Sequence, residues 1–219
     1  KNAKNSFFNQ GAEKIAEIFT DYLSLAGVIN TYRNCEYTFH IPKYLSERTK
    51  NASGIGDPNE ERSLGYPSAQ IKSEGAYKWY EQKTHTNYAF GIVTYRKGRE
   101  IYYTLATTDD SENYIGFAKK RLQSASKTGF EKLHAAHKKH WRGYWRLSSV
   151  KTGDKLLDET YKKSWYLFGS CSRKGYYPMP LQGVWTADND ALPPWKGDYH
   201  HDTNTELSYR SYLKANRLE

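Results

Sequence analysis

Aliphatic content is scarce in this chain of 219 residues. Hydrophobic residues make up only 37% of it, and mean hydropathy is −0.91. No apolar run approaches the about 20 residues that a membrane-spanning helix requires, so no membrane span is expected. Cysteine is almost absent. Cys35 and Cys171 permit at most one disulfide, their spacing suggests no metal site, and buried thiols are the expectation. Acids are outnumbered, 24 Asp and Glu against 33 Lys and Arg, for a net charge of +9 and a pI near 9.3. No signal peptide is visible, and the chain begins at Lys1 rather than Met, so a preceding segment is expected.

Aromatics fill the gap. Twenty Tyr, 6 Trp and 8 Phe can build a core without many aliphatics, which argues against disorder. A basic, aromatic-rich chain also suits nucleic-acid binding. The cations are spread along the sequence, however, and no nucleic-acid partner is expected.

Local patterns set out the elements. Residues 12–25 place Ile15, Ile18, Phe19, Tyr22 and Leu25 on a helical face ended by Gly27, although two short strands fit the same run. Residues 28–41 read as a strand, or as a hairpin turning at Arg33–Asn34. Residues 42–75 read mostly as loop. Strands are expected at 77–82, 88–95 and 100–107, a spacing that suits an antiparallel sandwich. Asp109, Asp110 and Ser111 open a helix that Gly129 breaks, and a second helix runs from Phe130 to Arg146. Within it His134, His137 and His140 suit a metal only poorly, because no Cys or acid completes the set; a packed helix face is the plainer reading. Asp154 can cap a third helix whose buried face is marked by Leu157, Tyr161, Ser164, Trp165 and Phe168.

The densest chemistry lies between Gln182 and Glu206. Trp rings offer flat apolar faces to the C–H side of a sugar, and amides and carboxylates bond its hydroxyls. Trp185 and Trp195 can serve as such platforms or as core aromatics. Pro193–Pro194 forms a rigid turn that presents Trp195, and Gln182 can brace backbone nearby. If the chain is extended past Tyr199, His200, Asp202 and Asn204 share one side. A helix then starts near Asn204 or Thr205, either of which could cap it. Asp202 has a plainer role as a helix cap or ion-pair partner. His201 can simply satisfy a hydrogen bond, and Glu206 can serve the helix dipole.

Leu181-Gln182-Gly183-Val184-Trp185, Pro193-Pro194-Trp195, Tyr199 and Asp202-x-Asn204-x-Glu206-Leu207-x-Tyr209 match, in order and spacing, a pattern of L-Q-G-x-W, P-P-W, Tyr and N-x-N-x-Q-M-x-Y. This resembles glycoside hydrolase family 95, the α-L-fucosidases and α-L-galactosidases. The resemblance is clear over 165–219, weaker over 77–150 and absent from 1–76. It implies a multidomain α and β chain: part of an antiparallel β-sandwich over 1–108, a helical linker over 109–150, and the first helical hairpin of an (α/α)6 barrel over 151–219. It also implies that the chain is a segment of a longer enzyme. That enzyme would be inverting, with its acid Glu and base Asp farther along the polypeptide and spaced by roughly 6.5–9.5 Å to admit a water. The family's first Asn binds substrate and its second helps hold the attacking water. Here those positions are Asp202 and Asn204, the candidate catalytic residues. Trp185, Trp195, His200, His201, Gln182 and Glu206 are the candidate substrate-binding residues. Asp and Glu replace the family's first Asn and its Gln, which leaves room for another sugar or for a sugar-binding protein without catalysis. A glycan partner, no metal or cofactor, and an extracellular or periplasmic bacterial setting complete the expectation.

Overall fold

In the computed structural model, the described residues are 5–8, 14–33, 35–40, 67–84, 86–180 and 199–217. They fall into two compact units, one up to Arg142 and one from Gly143 onward.

The first unit is built on a seven-stranded antiparallel sheet. Its strands are β1 (Asn5–Phe8), β2 (Lys14–Thr20), β3 (Gly27–Thr31), β4 (Gln70–Glu74), β5 (Tyr77–Lys83), β6 (Ala89–Lys97) and β7 (Glu100–Thr107), in the spatial order β1-β2-β3-β7-β6-β5-β4. Phe19 pairs with Val28, Val28 with Tyr102, Tyr102 with Tyr95, and Tyr95 with Tyr77. Because side chains alternate along a strand, these rings and Val93, Thr104 and Ala106 share one face.

Helix α1 (Tyr114–Thr128) lies on that face. It is followed after Gly129 by α2 (Phe130–Arg146). Tyr114, Ala118, Leu122 and Ala125 of α1 join Phe130 and Leu133 of α2 and the sheet residues in one core. Asn113 caps α1 by accepting from the Gly116 amide at 3.0 Å. At the other end, Lys97 Nζ donates to the Ser126 carbonyl at 3.0 Å, satisfying one of the carbonyls that a helix end leaves over. Asp110 does not open the helix as expected. Its carboxylate takes the Thr107 amide at 2.9 Å and shapes the turn out of β7.

Two glycines set close approaches. A Cβ on Gly91 would lie 2.4 Å from Ile115 Cδ1, so the absent side chain lets α1 settle on β6. A Cβ on Gly27 would lie 1.9 Å from Tyr103 Cζ, because the Tyr103 ring lies directly over that stretch of β3.

Charged groups fasten α1 to the far strands. Tyr114 donates to Glu81 Oε1 at 2.6 Å, and Lys72 donates to Glu81 Oε2 at 2.7 Å. Lys119 pairs with Glu74 and sits 4.3 Å above the Trp79 ring. Arg121 donates to Thr104 Oγ1 and to the Leu105 carbonyl. Burial would raise the Glu81 carboxyl, but hydrogen bonds from Lys72 and Tyr114 and the charges of Lys72 and Lys83 outweigh it and hold Glu81 below its ordinary value.

The opposite face is covered in part by residues 35–40. Tyr37 shares a 2.7 Å hydrogen bond with Thr94, Phe39 packs near Tyr80, and Arg96 donates to the Cys35 carbonyl.

The expected helix over 12–25 is instead β2. Both β1 and β3 supply it with ladder partners, and Ile18 and Phe19 of the helical stripe fall on opposite faces of the strand, while Tyr22 and Leu25 lie beyond its end. Asp21 then takes the Ser24 amide and hydroxyl, at 2.9 and 2.7 Å, and turns the chain back. Gly27 opens β3 rather than ending a helix. The expected strand over 28–41 stops at Thr31. The loop expected over 42–75 includes β4, while 42–66 lie outside the described residues. Cys35 is half-buried in a loop, and Cys171 is half-buried at a helix end. His134 and His137 pack their rings 5.2 and 5.0 Å from Phe19, and His140 stacks on Tyr22 at 3.8 Å. This is the packed-face arrangement.

Only one sheet is found among the described residues, so the sandwich expectation is met as far as that sheet, and a barrel is not discernible. Among the described residues no helix is long and apolar enough to cross a membrane.

Candidate functional site

The second unit starts from α3 (Lys155–Cys171), α4 (Thr203–Tyr209) and α5 (Ser211–Lys214). Asp154 caps α3, accepting from the Leu156 and Leu157 amides at 2.8 and 3.0 Å. Asp158, in the first turn, takes the Thr152 amide and hydroxyl, both at 2.8 Å. These bonds draw its carboxyl below the ordinary value. Trp165 and Gly169 form the buried side of α3. Leu157 and Ser164 were expected there but are exposed, Leu157 at 56%.

Trp165 and Phe168 meet Tyr209 of α4 and Tyr212 of α5 in an aromatic cluster. Phe168 lies 4.6 Å from Tyr212 and 5.3 Å from Tyr209, and Trp165 lies 5.8 Å from Tyr212. Burial pushes the Tyr212 phenol up to about 12. Arg217 is buried at the edge of this cluster, only 5% exposed. Its guanidinium lies 3.8 Å above the Tyr144 ring and 4.7 Å above Trp165, and donates to the Tyr144 carbonyl at 2.7 Å. Tyr144 in turn donates to the Trp165 carbonyl at 2.7 Å. That ring occupies the space a side chain on Gly169 would fill. Burial raises the Tyr144 phenol, partly offset by the Arg217 charge.

Against this frame sits the polar run 199–206. Asp202 caps α4: its Oδ1 accepts from the Asn204 amide at 3.3 Å, and its carbonyl accepts from the Glu206 amide at 3.0 Å. The His200 carbonyl accepts from the Thr205 amide and hydroxyl. The chain therefore turns at 201–202 and is helical from Thr203. The extended alternation of His200, Asp202 and Asn204 is not found, and the cap falls not on Asn204 or Thr205 but on Asp202, as its plainer reading has it. The backbone hydrogen bonds of a turn and helix start outweigh an unpaired extended run. Asp202, Asn204, Glu206 and His201 are exposed, and His200 is half-buried. Gln182, Trp185 and Trp195 lie outside the described residues.

Two tyrosines of the matched pattern hold the frame, a role the sequence reading missed. Tyr199 donates to the Pro178 carbonyl at 3.0 Å while its ring stacks on His201 at 5.4 Å. Tyr209 accepts from the Met179 amide at 3.0 Å. The chain just ahead of the 181–185 motif is thus tied to the 199–209 segment. Their fixed place in the pattern is the sequence signal for this role. For Arg217 the only signal is a lone cation beside an aromatic-rich stretch. Among the described residues no group of three or more His, Cys, Asp or Glu could hold a metal. The arrangement offers exposed amide, carboxylate and imidazole groups over an aromatic base, a chemistry suited to hydroxyl-rich ligands.

Comparison with known proteins gives two findings. Residues 119–217 match the glycosyl hydrolase family 95 catalytic domain. A stretch of 44 residues is 46% identical to the probable alpha-fucosidase A of Aspergillus niger, covering 20% of this chain and 5% of that relative. The family match over 119–217 spans both the aromatic frame and the polar run that it carries. The chain is glycoside hydrolase family 95-like, with the likeness borne by residues 119–217.

Proposed function

We propose that this chain is part of a glycoside hydrolase that removes a terminal sugar, such as α-L-fucose or α-L-galactose, from glycans with inversion. The observation that carries the reading is the family match over 119–217, which includes the polar run from His200 to Glu206 with its exposed Asp202 and Asn204. In this reading Asp202 bonds glycone hydroxyls and the Asn204 amide orients the attacking water. Trp185 and Trp195 stack on the sugar, while Gln182, His200, His201 and Glu206 supply further hydrogen bonds. The general acid and base come from elsewhere in the polypeptide. The domain plan is a sandwich portion over 1–108, a linker over 109–150 and the opening hairpin of an (α/α)6 barrel over 151–219. The setting is extracellular or periplasmic, in a bacterium.

The test is an assay of the complete native polypeptide on α-L-fucosides and α-L-galactosides, with the anomer of the released sugar followed by NMR. Release with inversion is expected, and Asn204→Ala should lower kcat about 100-fold, the scale of a lost polar contact to the reacting groups. Wild-type turnover by that variant would remove the role given to Asn204. Glycan binding with no hydrolysis would leave a carbohydrate-binding protein.

A further inference from the structure

Two of the four cations of α1 are paired with acids, whereas the exposed cations of α2 form a row. On α1, Lys119 pairs with Glu74, and Arg121 faces Asp110 at 3.6 Å. On α2, Lys132, Lys139 and Arg142 are exposed, and among the described residues none of them enters an ion pair. At about 100° per residue, positions 132, 139 and 142 fall within about 80° of one another. The buried residues Phe130, Leu133, His134, His137 and Trp141 occupy the opposite side. The result is a cationic stripe about 15 Å long, flanked by half-buried Lys138.

Glu131 is the only carboxylate of α2, against five Lys and Arg. Arg142 has Lys138 four residues before it and Lys139 three before it. Such like-charge neighbours destabilise a helix, and among the described residues no ion pair involves these three cations. A row of this kind is matched by a polyanion, whose bound counterions are released on contact.

We propose that the Lys132–Lys139–Arg142 stripe binds acidic polysaccharide, chains bearing carboxylate or sulfate groups, and so holds the protein on the glycan it trims. This rests on the glycan reading above. Single-stranded nucleic acid is the less suited polyanion, because its sites interleave cations with exposed stacking rings. The rings of α2 are engaged elsewhere: Trp141 is buried on the other side, His140 lies on Tyr22, and half-buried Trp145 packs on Tyr144 and near Arg217.

The test measures binding of the complete native polypeptide to polygalacturonate (carboxylated), heparin (sulfated) and poly(U) RNA across a salt series. The wild type is compared with Lys132→Gln/Lys139→Gln/Arg142→Gln and with a control, Lys155→Gln/Lys162→Gln/Lys163→Gln, that removes three exposed cations of α3. The stripe variant should bind polygalacturonate or heparin at least tenfold more weakly, with a flatter salt dependence, while the control changes less than threefold. Whichever of the two glycans binds more tightly identifies the acidic group. Equal losses in both variants would assign the effect to net charge and overturn the proposal. So would unchanged binding, or tighter binding to poly(U) than to either glycan. Hydrolysis of a small aryl α-L-fucoside or α-L-galactoside is measured alongside. Its absence in the wild type would defeat the enzymatic reading, whereas normal hydrolysis with an unaffected stripe variant would defeat only this inference.

Discussion

Replacing Tyr114 by Phe tests how α1 is held to the sheet. The ring stays in the core, where Tyr114 is 8% exposed, and only the hydroxyl that donates to Glu81 at 2.6 Å is lost. A hydrogen bond to an ionised partner contributes about 1.5–3 kcal/mol, which corresponds to roughly 10- to 150-fold faster amide exchange if exchange follows release of α1. The assay is hydrogen exchange of the β5 and β6 amides, read as a ratio of variant to wild type so that intrinsic rates cancel. The ratio should depend on pH. Glu81 titrates below its ordinary value of 4.5 in the folded chain. Its stabilising contribution is therefore present above about pH 4.5 and lost as pH falls through the folded value. Once pH has fallen through that folded value the phenol faces a neutral acid, and the difference should shrink to about 1 kcal/mol, roughly a fivefold ratio. At the alkaline end, burial and Glu81 raise the Tyr114 phenol above its ordinary value of 10.0. Its contribution holds below about pH 10 and fades only as pH climbs through the raised value. A ratio under two at pH 7, or one independent of pH, would refute the idea that this bond secures the helix.

Gly91→Ala should destabilise the sheet unit by about 1–3 kcal/mol through overpacking against Ile115, seen as a lower urea midpoint; adding Ile115→Val should recover part of it. Arg217→Met should be far milder than Arg217→Ala, because a buried cation repays little of its desolvation while a truncated side chain leaves a cavity. Thermal unfolding of the two variants should differ by at least about 1 kcal/mol, and equal losses would count against this view. Asp202→Ala should weaken the start of α4 by about 1 kcal/mol, whereas Asp202→Asn keeps the cap; circular dichroism reports the helix. A fall in turnover for Asp202→Asn, with helicity retained, would then report a contact to ligand rather than to backbone.

The elements easiest to read from sequence were those in which local pattern and tertiary pairing agree. The β7 span, the break at Gly129 and the whole of α2 follow from alternation or helical spacing alone. The region before Gly27 misled because Ile18, Phe19 and Tyr22 satisfy a helical stripe, while the deciding factor, pairing with strands on both sides, is nonlocal. The β4 strand is exposed along its length and polar apart from Ile71, so it has no apolar alternation to announce it; its charges Lys72 and Glu74 suit an edge strand. In the candidate site, the motif located the segment and the tyrosines that brace it. The helix cap offered for Asp202 as its plainer role is the one found, whereas the motif spacing could not choose between it and an extended run, since N-x-N fits both equally well. Arg217 was hidden for another reason: nothing in a sequence distinguishes a cation packed on Tyr144 and Trp165 from one in solvent.

The Tyr103 ring lying over Gly27 ties two positions that are 76 residues apart in the chain into one unit of inheritance. Neither can enlarge or change shape alone without lifting β3 from β7. Tyr103 covers bare backbone, and Gly27 provides the floor on which the ring lies. Among homologous chains the two should change together. A larger residue at the first position should come with a smaller one at the second, and a lineage that loses the tyrosine should no longer be held to glycine.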